Sequence, residues 1–107
     1  MREATSFRKI LLEAVDEGLF TFGESVKHVI YHQVERNSSI RRDQIPEKLD
    51  AFHVELENIF GIGVRVIEKV IAEKLCTKLS LPFREHENWA LTDYACNAEK
   101  HVEAAQA

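Results

Sequence analysis

Two histidines on one predicted helix are the first residues whose spacing could support chemistry. His28 and His32 are four residues apart, so both lie on one helix face, and Glu24 lies one turn earlier. Two imidazoles and a carboxylate can bind Zn²⁺. However, Val29 follows His28 where the metalloprotease motif has glutamate. A solvated polar face explains the same residues, so we expect no metal and keep His28 and His32 as weak candidates.

The segment NIFGIGVRVIEKV, residues 58–70, is the second arrangement that could do chemistry. Its hydrophobic-x-Gly-hydrophobic-Gly pattern resembles the helix-hairpin-helix motif of DNA-binding proteins. In that arrangement Gly61 and Gly63 would expose backbone amides at a helix N-terminus, where one phosphate could bind without sequence readout. Arg65 and Lys69, one turn apart, would add positive charge there.

A tight corner between two packed helices explains the same glycines without a ligand. Gly61 would end the third helix with a positive φ, Ile62 would fill the junction, and Gly63 would let the next helix start close by. The bulky Ile67 stands where the hairpin pattern usually has a small residue. We therefore favour the corner and keep phosphate binding as the alternative.

The remaining residues do not form a recognisable catalytic pattern. His53, His86 and His101 are isolated in the sequence. The chain contains no Gly-x-Ser-x-Gly elbow, no P-loop, and no dinucleotide fingerprint after a predicted strand. Cys76 and Cys96 form no CxxC pair, and in a reducing cytosol we expect them to be ordinary helix residues. We expect a protein that is not an enzyme and needs no cofactor.

Composition and charge favour a single cytoplasmic domain that does not bind many phosphates. The chain has 107 residues, of which 45% are hydrophobic and 30% charged. Its net charge of −4 falls entirely on residues 85–107, whereas residues 1–84 are neutral overall. A protein that neutralises many phosphates is usually basic. The sequence has neither a signal-type apolar region at its start nor a run approaching the ~18 apolar residues of a membrane span.

Periodic apolar residues predict an all-α fold, a compact bundle of four to five helices with a helix-turn-helix corner at Gly61–Gly63. The apolar stripes run through residues 7–19, 26–34, 49–60, 64–79 and 91–105. The sequence TFGE, residues 21–24, has the spacing of a capping box for the second helix. Ile45-Pro46 suits the start of the third helix, since proline is favoured in a first helical turn.

The chain divides into a predicted helical core, residues 1–80, and an acidic helical extension, residues 81–107. The stripe of the extension is mostly alanine, which suits close docking on another helix or on a second chain. We predict a homodimer whose interaction surface combines the extension with exposed parts of the fourth helix. The predicted surface residues are Trp89, Leu91, Tyr94 and Ala98.

Two longer segments, EAVDEGLFTFGESVKHVIYHQVE and IPEKLDAFHVELENIFGIGVRVIEKVIAEKL, resemble a small all-helical signalling output domain of ammonia-oxidising and related archaea. The matching positions are Gly23-Glu24-Ser25, Ile30-Tyr31, Ile45-Pro46-Glu47 and Phe60-Gly61-x-Gly63. The resemblance covers residues 10–79, and Val64 departs from the alanine that often follows the second glycine. It implies a non-enzymatic regulatory role through protein interaction, and no reaction.

Overall fold

Five α-helices make up most of the chain in a computed structural model that describes the backbone of residues 2–106 and the side chains of residues 7–103. The helices are α1 (Arg2–Phe20), α2 (Glu24–Ser38), α3 (Leu49–Phe60), α4 (Val64–Leu79) and α5 (Leu91–Gln106). Short 3₁₀ helices at Arg42–Glu47 and Gly61–Gly63 lie on either side of α3. Residues 2–106 contain no strand, which confirms the predicted all-α bundle.

Helices α1 and α4 make the most extensive contact in the fold. Their backbones approach closely where Gly18 meets Ile71. A Cβ atom at Gly18 would lie 2.5 Å from Ile71 Cγ1 and 3.0 Å from Ile71 Cα, so no larger residue fits without movement. Leu19 and Leu75 are completely buried. Gly18 therefore serves this helix crossing, and not only the nearby end of α1.

All five helices contribute to one hydrophobic core. Its buried members include Leu11 of α1, Ile30 of α2, Phe52 of α3, Ile71 of α4 and Leu91 of α5. Burying each of these side chains contributes about 1.5–3 kcal/mol relative to exposure. The Cα radius of gyration, 13.2 Å, matches the ~13 Å expected for a 100-residue domain. The C-terminal helix thus packs in the same core as residues 7–80.

The predicted capping box at the start of α2 is wrong. Helix α2 begins at Glu24, and its N-cap residue is Gly23, which makes no side-chain cap. The hydroxyl of Thr21 instead donates to the backbone carbonyl of Glu17, 3.0 Å away, in the last turn of α1. The same Glu17 carbonyl also accepts from the Thr21 amide at 3.1 Å, so Thr21 bonds to the helix behind it and does not cap the helix ahead.

The third helix begins at Leu49, not at Ile45-Pro46. Pro46 lies inside the 3₁₀ helix Arg42–Glu47, and Ile45 is completely buried. Lys48, at φ −127° and ψ 43°, separates this turn from α3. Burial of Ile45 fixes the 3₁₀ turn to the core. The non-helical backbone of Lys48 then changes the direction of the chain before α3 begins.

The corner between α3 and α4 is present, but its apolar tip points outward. Gly61 ends α3 with φ +59°, as predicted, whereas Gly63 has the helical φ of −64°. Ile62 is 87% exposed, so the prediction that it fills the junction is wrong. Val64 and Ile67, which begin the inward stripe of α4, are buried there instead. The 3₁₀ turn and the positive φ together leave Ile62 in solvent.

Candidate functional site

The two candidate metal-binding histidines are exposed on α2. His28 Nε2 lies 3.7 Å from a carboxylate oxygen of Glu24. Within the described part of the chain, no three His, Cys, Asp or Glu side chains come together in a way that could hold a metal ion. His28 and His32 therefore lie on the solvent-exposed surface of α2.

Three of the four residues predicted to bind a phosphate, Gly61, Arg65 and Lys69, bond to other groups of the same chain. Arg65 donates from Nη1 to the backbone carbonyl of Glu87 at 2.8 Å, and Lys69 lies 3.0 Å from the Glu85 carboxylate. The amide of Gly61 donates to the carbonyl of Glu57. A phosphate would have to displace these partners from Arg65 and Lys69. DNA binding stays a prediction, and fluorescence anisotropy with duplex DNA at two salt concentrations would test it, since phosphate contacts weaken steeply with salt.

Three of the four residues predicted to form the interaction surface are part of the core. Leu91, Tyr94 and Ala98 are 0%, 7% and 2% exposed, and Trp89 is half-buried. The alanine-rich stripe of α5 packs against α3 and α4 of the same chain. Leu91 and Ala98 face this core and present little apolar surface to a partner in this conformation.

An exposed apolar surface does occur at the α3–α4 corner. Ile59, Ile62 and Val66 are 37%, 87% and 59% exposed, and we call these three residues the corner patch. Glu57 in the last turn of α3 and Arg65 in the first turn of α4 are exposed on the two helices that meet at this corner. The corner region therefore carries exposed apolar side chains and charges of both signs.

A polar cluster joins α1, α2 and the first 3₁₀ helix. The Tyr31 hydroxyl donates to Asp16 Oδ1, and Arg42 donates from Nε to both Asp16 oxygens at 2.9 and 3.0 Å. Burial acts to raise the pKa of Asp16, but the hydrogen bonds from Arg42 and Tyr31 outweigh it and hold that pKa below 3.8. Burial and the neighbouring carboxylate raise the pKa of Tyr31. The cluster fastens three elements together.

A second polar cluster joins α3, α4 and α5. His53 Nδ1 lies 2.7 Å from Glu68 Oε2, and the amide of Leu91 donates to Glu68 Oε1 at 3.1 Å. Glu68 is only 2% exposed. Burial raises the pKa of Glu68, and the hydrogen bonds from His53 and Leu91 oppose that shift. These contacts position the start of α5 on the body of the protein.

A cleft of about 580 Å³ opens between the end of α4, the loop of residues 81–90, and α5. We call it the C-terminal cleft. It is lined by Cys76, Leu81, Pro82, Phe83, Arg84, His86, Trp89, Tyr94, Asn97, Ala98 and His101. A volume of this size suits a small organic ligand.

Aromatic rings form one wall of the C-terminal cleft. The rings of His86 and Trp89 stack with centroids 3.7 Å apart, and Trp89 meets Tyr94 edge-on at 5.2 Å. Phe83 stacks against Tyr94 at 5.7 Å. The Tyr94 hydroxyl accepts from the amide of His86 and donates to its carbonyl, at 2.9 and 3.1 Å. The wall is thus preformed, and the Tyr94 hydroxyl is already used in holding the loop.

Charge in the C-terminal cleft differs from charge in the segment around it. Residues 85–107 are the acidic part of the sequence, yet no aspartate or glutamate lines the cleft. The basic side chains of its lining are Arg84, His86 and His101. Burial raises the pKa of the Cys76 thiol, which keeps that group neutral and a poor nucleophile.

This cleft was not predicted from the sequence. Three of its lining residues, Trp89, Tyr94 and Ala98, were predicted to form an interaction surface instead. Phe83, His86 and Trp89 lie within seven residues of each other, and an aromatic cluster in an otherwise polar loop was the available signal. Their packing on Tyr94 could not be read from spacing, because it depends on how the loop folds back onto α5.

Comparisons of the chain with known proteins found no match. No protein-family model matches the sequence. No curated protein and no solved structure is significantly similar to it. None of the described helices is long and apolar enough to cross a bilayer.

Proposed function

We propose that the chain is a non-enzymatic regulatory or signalling module that acts by helix-mediated association, and that it associates with a second copy of itself. The observation that carries this proposal is the exposure of Ile62, 87%, between Ile59 and Val66 at the α3–α4 corner. Covering one such side chain contributes about 1.5–3 kcal/mol. The corner patch replaces the buried face of α5 as the interaction surface.

The charges around the corner patch favour a second copy as the partner. In a two-fold dimer the same surface meets itself, so its charged residues must include both signs. Glu57 and Arg65 provide them on the two helices, although Arg65 Nη1 also donates to the Glu87 carbonyl and Glu57 lies 4.0 Å from His53 Nε2. Specific interfaces usually bury about 800 Å² per partner, more than three side chains supply. We therefore expect a weak, concentration-dependent dimer.

The non-enzymatic part of the proposal rests on what the polar clusters do. Asp16, Tyr31 and Arg42 bond to one another across three elements, and His53 and Glu68 hold α3, α4 and α5 together. Their hydrogen-bonding capacity thus has a structural use. The regulatory part draws on the resemblance of residues 10–79 to an archaeal signalling output domain. A cytoplasmic location also stays a prediction from the sequence.

Light scattering after size exclusion tests the proposed association. Wild-type protein should shift from monomer towards dimer as its concentration rises into the high micromolar range. The variant Ile62→Lys should remain monomeric, because dimerisation would bury a charge without a partner. Val29→Lys is the matched control, since Val29 is 56% exposed on α2, away from the corner. Circular dichroism would verify that both variants keep their helices.

Two outcomes would overturn the association proposal. Wild-type protein that stays monomeric at high micromolar concentration would remove the dimer. A dimer that survives Ile62→Lys but dissociates in Val29→Lys would move the interface to α2. Capture of partners from a native lysate with wild type and Ile62→Lys would then examine the signalling role, because a corner-dependent partner should bind only the wild type.

A further inference from the structure

We propose that the C-terminal cleft is a binding site for a small planar aromatic anion, an aromatic carboxylate of one or two rings. The cleft is separate from the corner patch, so this inference goes beyond the proposed self-association. Its basis is the combination of a preformed aromatic wall, the positive charge of Arg84 and a suitable volume in one place.

The aromatic walls provide surfaces for a flat ring. Phe83, His86, Trp89 and Tyr94 all line the cleft, and their mutual contacts fix their orientations before any ligand arrives. Aromatic rings prefer offset-stacked or edge-on contacts, so a flat ligand ring can pack against this wall. A volume of about 580 Å³ accommodates one or two rings.

Arg84 supplies the charge that selects an anion. Two nearby basic residues, Arg65 and Lys69, are already bonded to Glu87 and Glu85. Arg84 instead lines the cleft and forms no ion pair within the described part of the chain. A guanidinium presents several donors in one plane and matches a carboxylate with two parallel hydrogen bonds.

His101 and Asn97 provide further polar groups at the α5 side of the cleft. His101 Nδ1 donates to the backbone carbonyl of Asn97 at 2.8 Å, so Nε2 of the neutral ring is a hydrogen-bond acceptor, and the carboxylate is held by Arg84 and not by His101. The Asn97 side chain can donate or accept. No acidic residue lines the cleft, so a bound carboxylate meets no negatively charged side chain there. A cationic ligand would instead lie beside Arg84 and the imidazoles without a negative partner.

The test uses the single tryptophan of the chain, because it gives one indole N–H signal in a two-dimensional ¹H–¹⁵N NMR spectrum. The protein is titrated with 1-naphthoate, with its neutral counterpart 1-naphthamide, and with the non-aromatic cyclohexanecarboxylate. We expect 1-naphthoate to shift the Trp89 indole signal and the amides of residues 81–90 and 97–101 in a saturable manner. The naphthamide should bind about tenfold more weakly, since it lacks the charge-assisted hydrogen bonds.

Paired variants separate the charge from the fold. Arg84→Gln should weaken 1-naphthoate by about tenfold and leave 1-naphthamide unchanged, because one charged hydrogen-bonding group is lost. Arg36→Gln, at an exposed position on α2, is the matched control and should change neither affinity.

Several results would overturn the proposal. Absence of a saturable shift with millimolar 1-naphthoate would remove the site. Equal affinities for 1-naphthoate and 1-naphthamide would remove its preference for an anion, and equal affinity for cyclohexanecarboxylate would remove its preference for a ring. The oligomeric state of Ile62→Lys is measured separately, so failure of the cleft and failure of the corner patch are distinguishable.

Discussion

His53 Nδ1 lies 2.7 Å from Glu68 Oε2, and through this contact one buried carboxylate joins three helices. The other oxygen of Glu68 accepts from the amide of Leu91, the first residue of α5. Helix α5 forms one side of the C-terminal cleft and packs against the body through Leu91, Ala95 and Ala98. The position of the cleft wall therefore depends on a polar contact in the interior as well as on apolar packing.

Removing the Glu68 side chain should destabilise the protein. We expect Glu68→Ala to lower the free energy of unfolding by about 1–3 kcal/mol, because it leaves His53 and the Leu91 amide without their buried acceptor. Glu68→Gln should cost less, since its amide oxygen can still accept from Leu91. Urea denaturation measures both values. Glu73→Ala, at an exposed position on α4, is the control, and a Glu68→Ala variant as stable as this control would contradict the structural role.

Asp16→Asn should destabilise the protein at neutral pH but not in acid. The pKa of Asp16 in the folded protein lies below 3.8 because the hydrogen bonds from Arg42 and Tyr31 outweigh burial. As the pH falls below about 4, the unfolded chain takes up this proton before the folded protein does, so the stabilisation is lost through the folded pKa. We expect Asp16→Asn to cost about 1–3 kcal/mol at pH 7.

Urea denaturation of wild type and Asp16→Asn over a range of acidic pH measures this dependence. The difference between the two proteins should shrink as the pH falls. Asp50→Asn removes an exposed carboxylate from the first turn of α3 and should change stability by less than about 1 kcal/mol. A constant difference between wild type and Asp16→Asn at every pH would show that the charge of Asp16 is not what stabilises the cluster.

Tyr31→Phe should remove a loss of stability at alkaline pH. Burial, together with the hydrogen bond to Asp16, raises the pKa of Tyr31 above 10.0 in the folded protein. Above pH 10.0 the unfolded chain therefore loses this proton first, and stability falls as the pH rises towards the folded pKa. We expect Tyr31→Phe to cost about 0.5–1.5 kcal/mol at pH 7, and the cost to diminish above pH 10. A cost that grew with pH would refute the assignment.

Gly18→Ala should destabilise the contact between α1 and α4, although alanine favours helix. The added Cβ would lie 2.5 Å from Ile71 Cγ1, so the helices must separate. We expect a loss of about 1–3 kcal/mol, typical of overpacking. Gly63→Ala is the matched control, because its Cβ would be 3.8 Å from Phe60 Cβ at a helical φ. That variant should be neutral or more stable by up to about 1 kcal/mol. Thermal unfolding that ranks the two variants in reverse would contradict the close crossing.

Apolar periodicity in the sequence determined the helices, because the 3.6-residue repeat depends only on local spacing. Leu11, Ile30, Phe52 and Ile71 lie within the predicted apolar stripes and are buried. The positive φ of Gly61 was also predictable, since glycine adopts that conformation at low cost. Local signals failed where two neighbouring helices compete for one group: Thr21 satisfies the end of α1, not the start of α2.

Only the tertiary structure decided which surfaces stay free, because burial depends on neighbours that are distant in sequence. The apolar stripe of α5 looked available for a partner, yet Leu91 and Ala98 pack inside the same chain. Ile62 was predicted to fill the junction between α3 and α4, yet the direction of the turn leaves it exposed. The C-terminal cleft likewise arises when the loop carrying Trp89 folds against Tyr94, a contact that no periodicity records. Spacing along a helix specifies which side chains share a face, whereas long-range packing determines what that face meets.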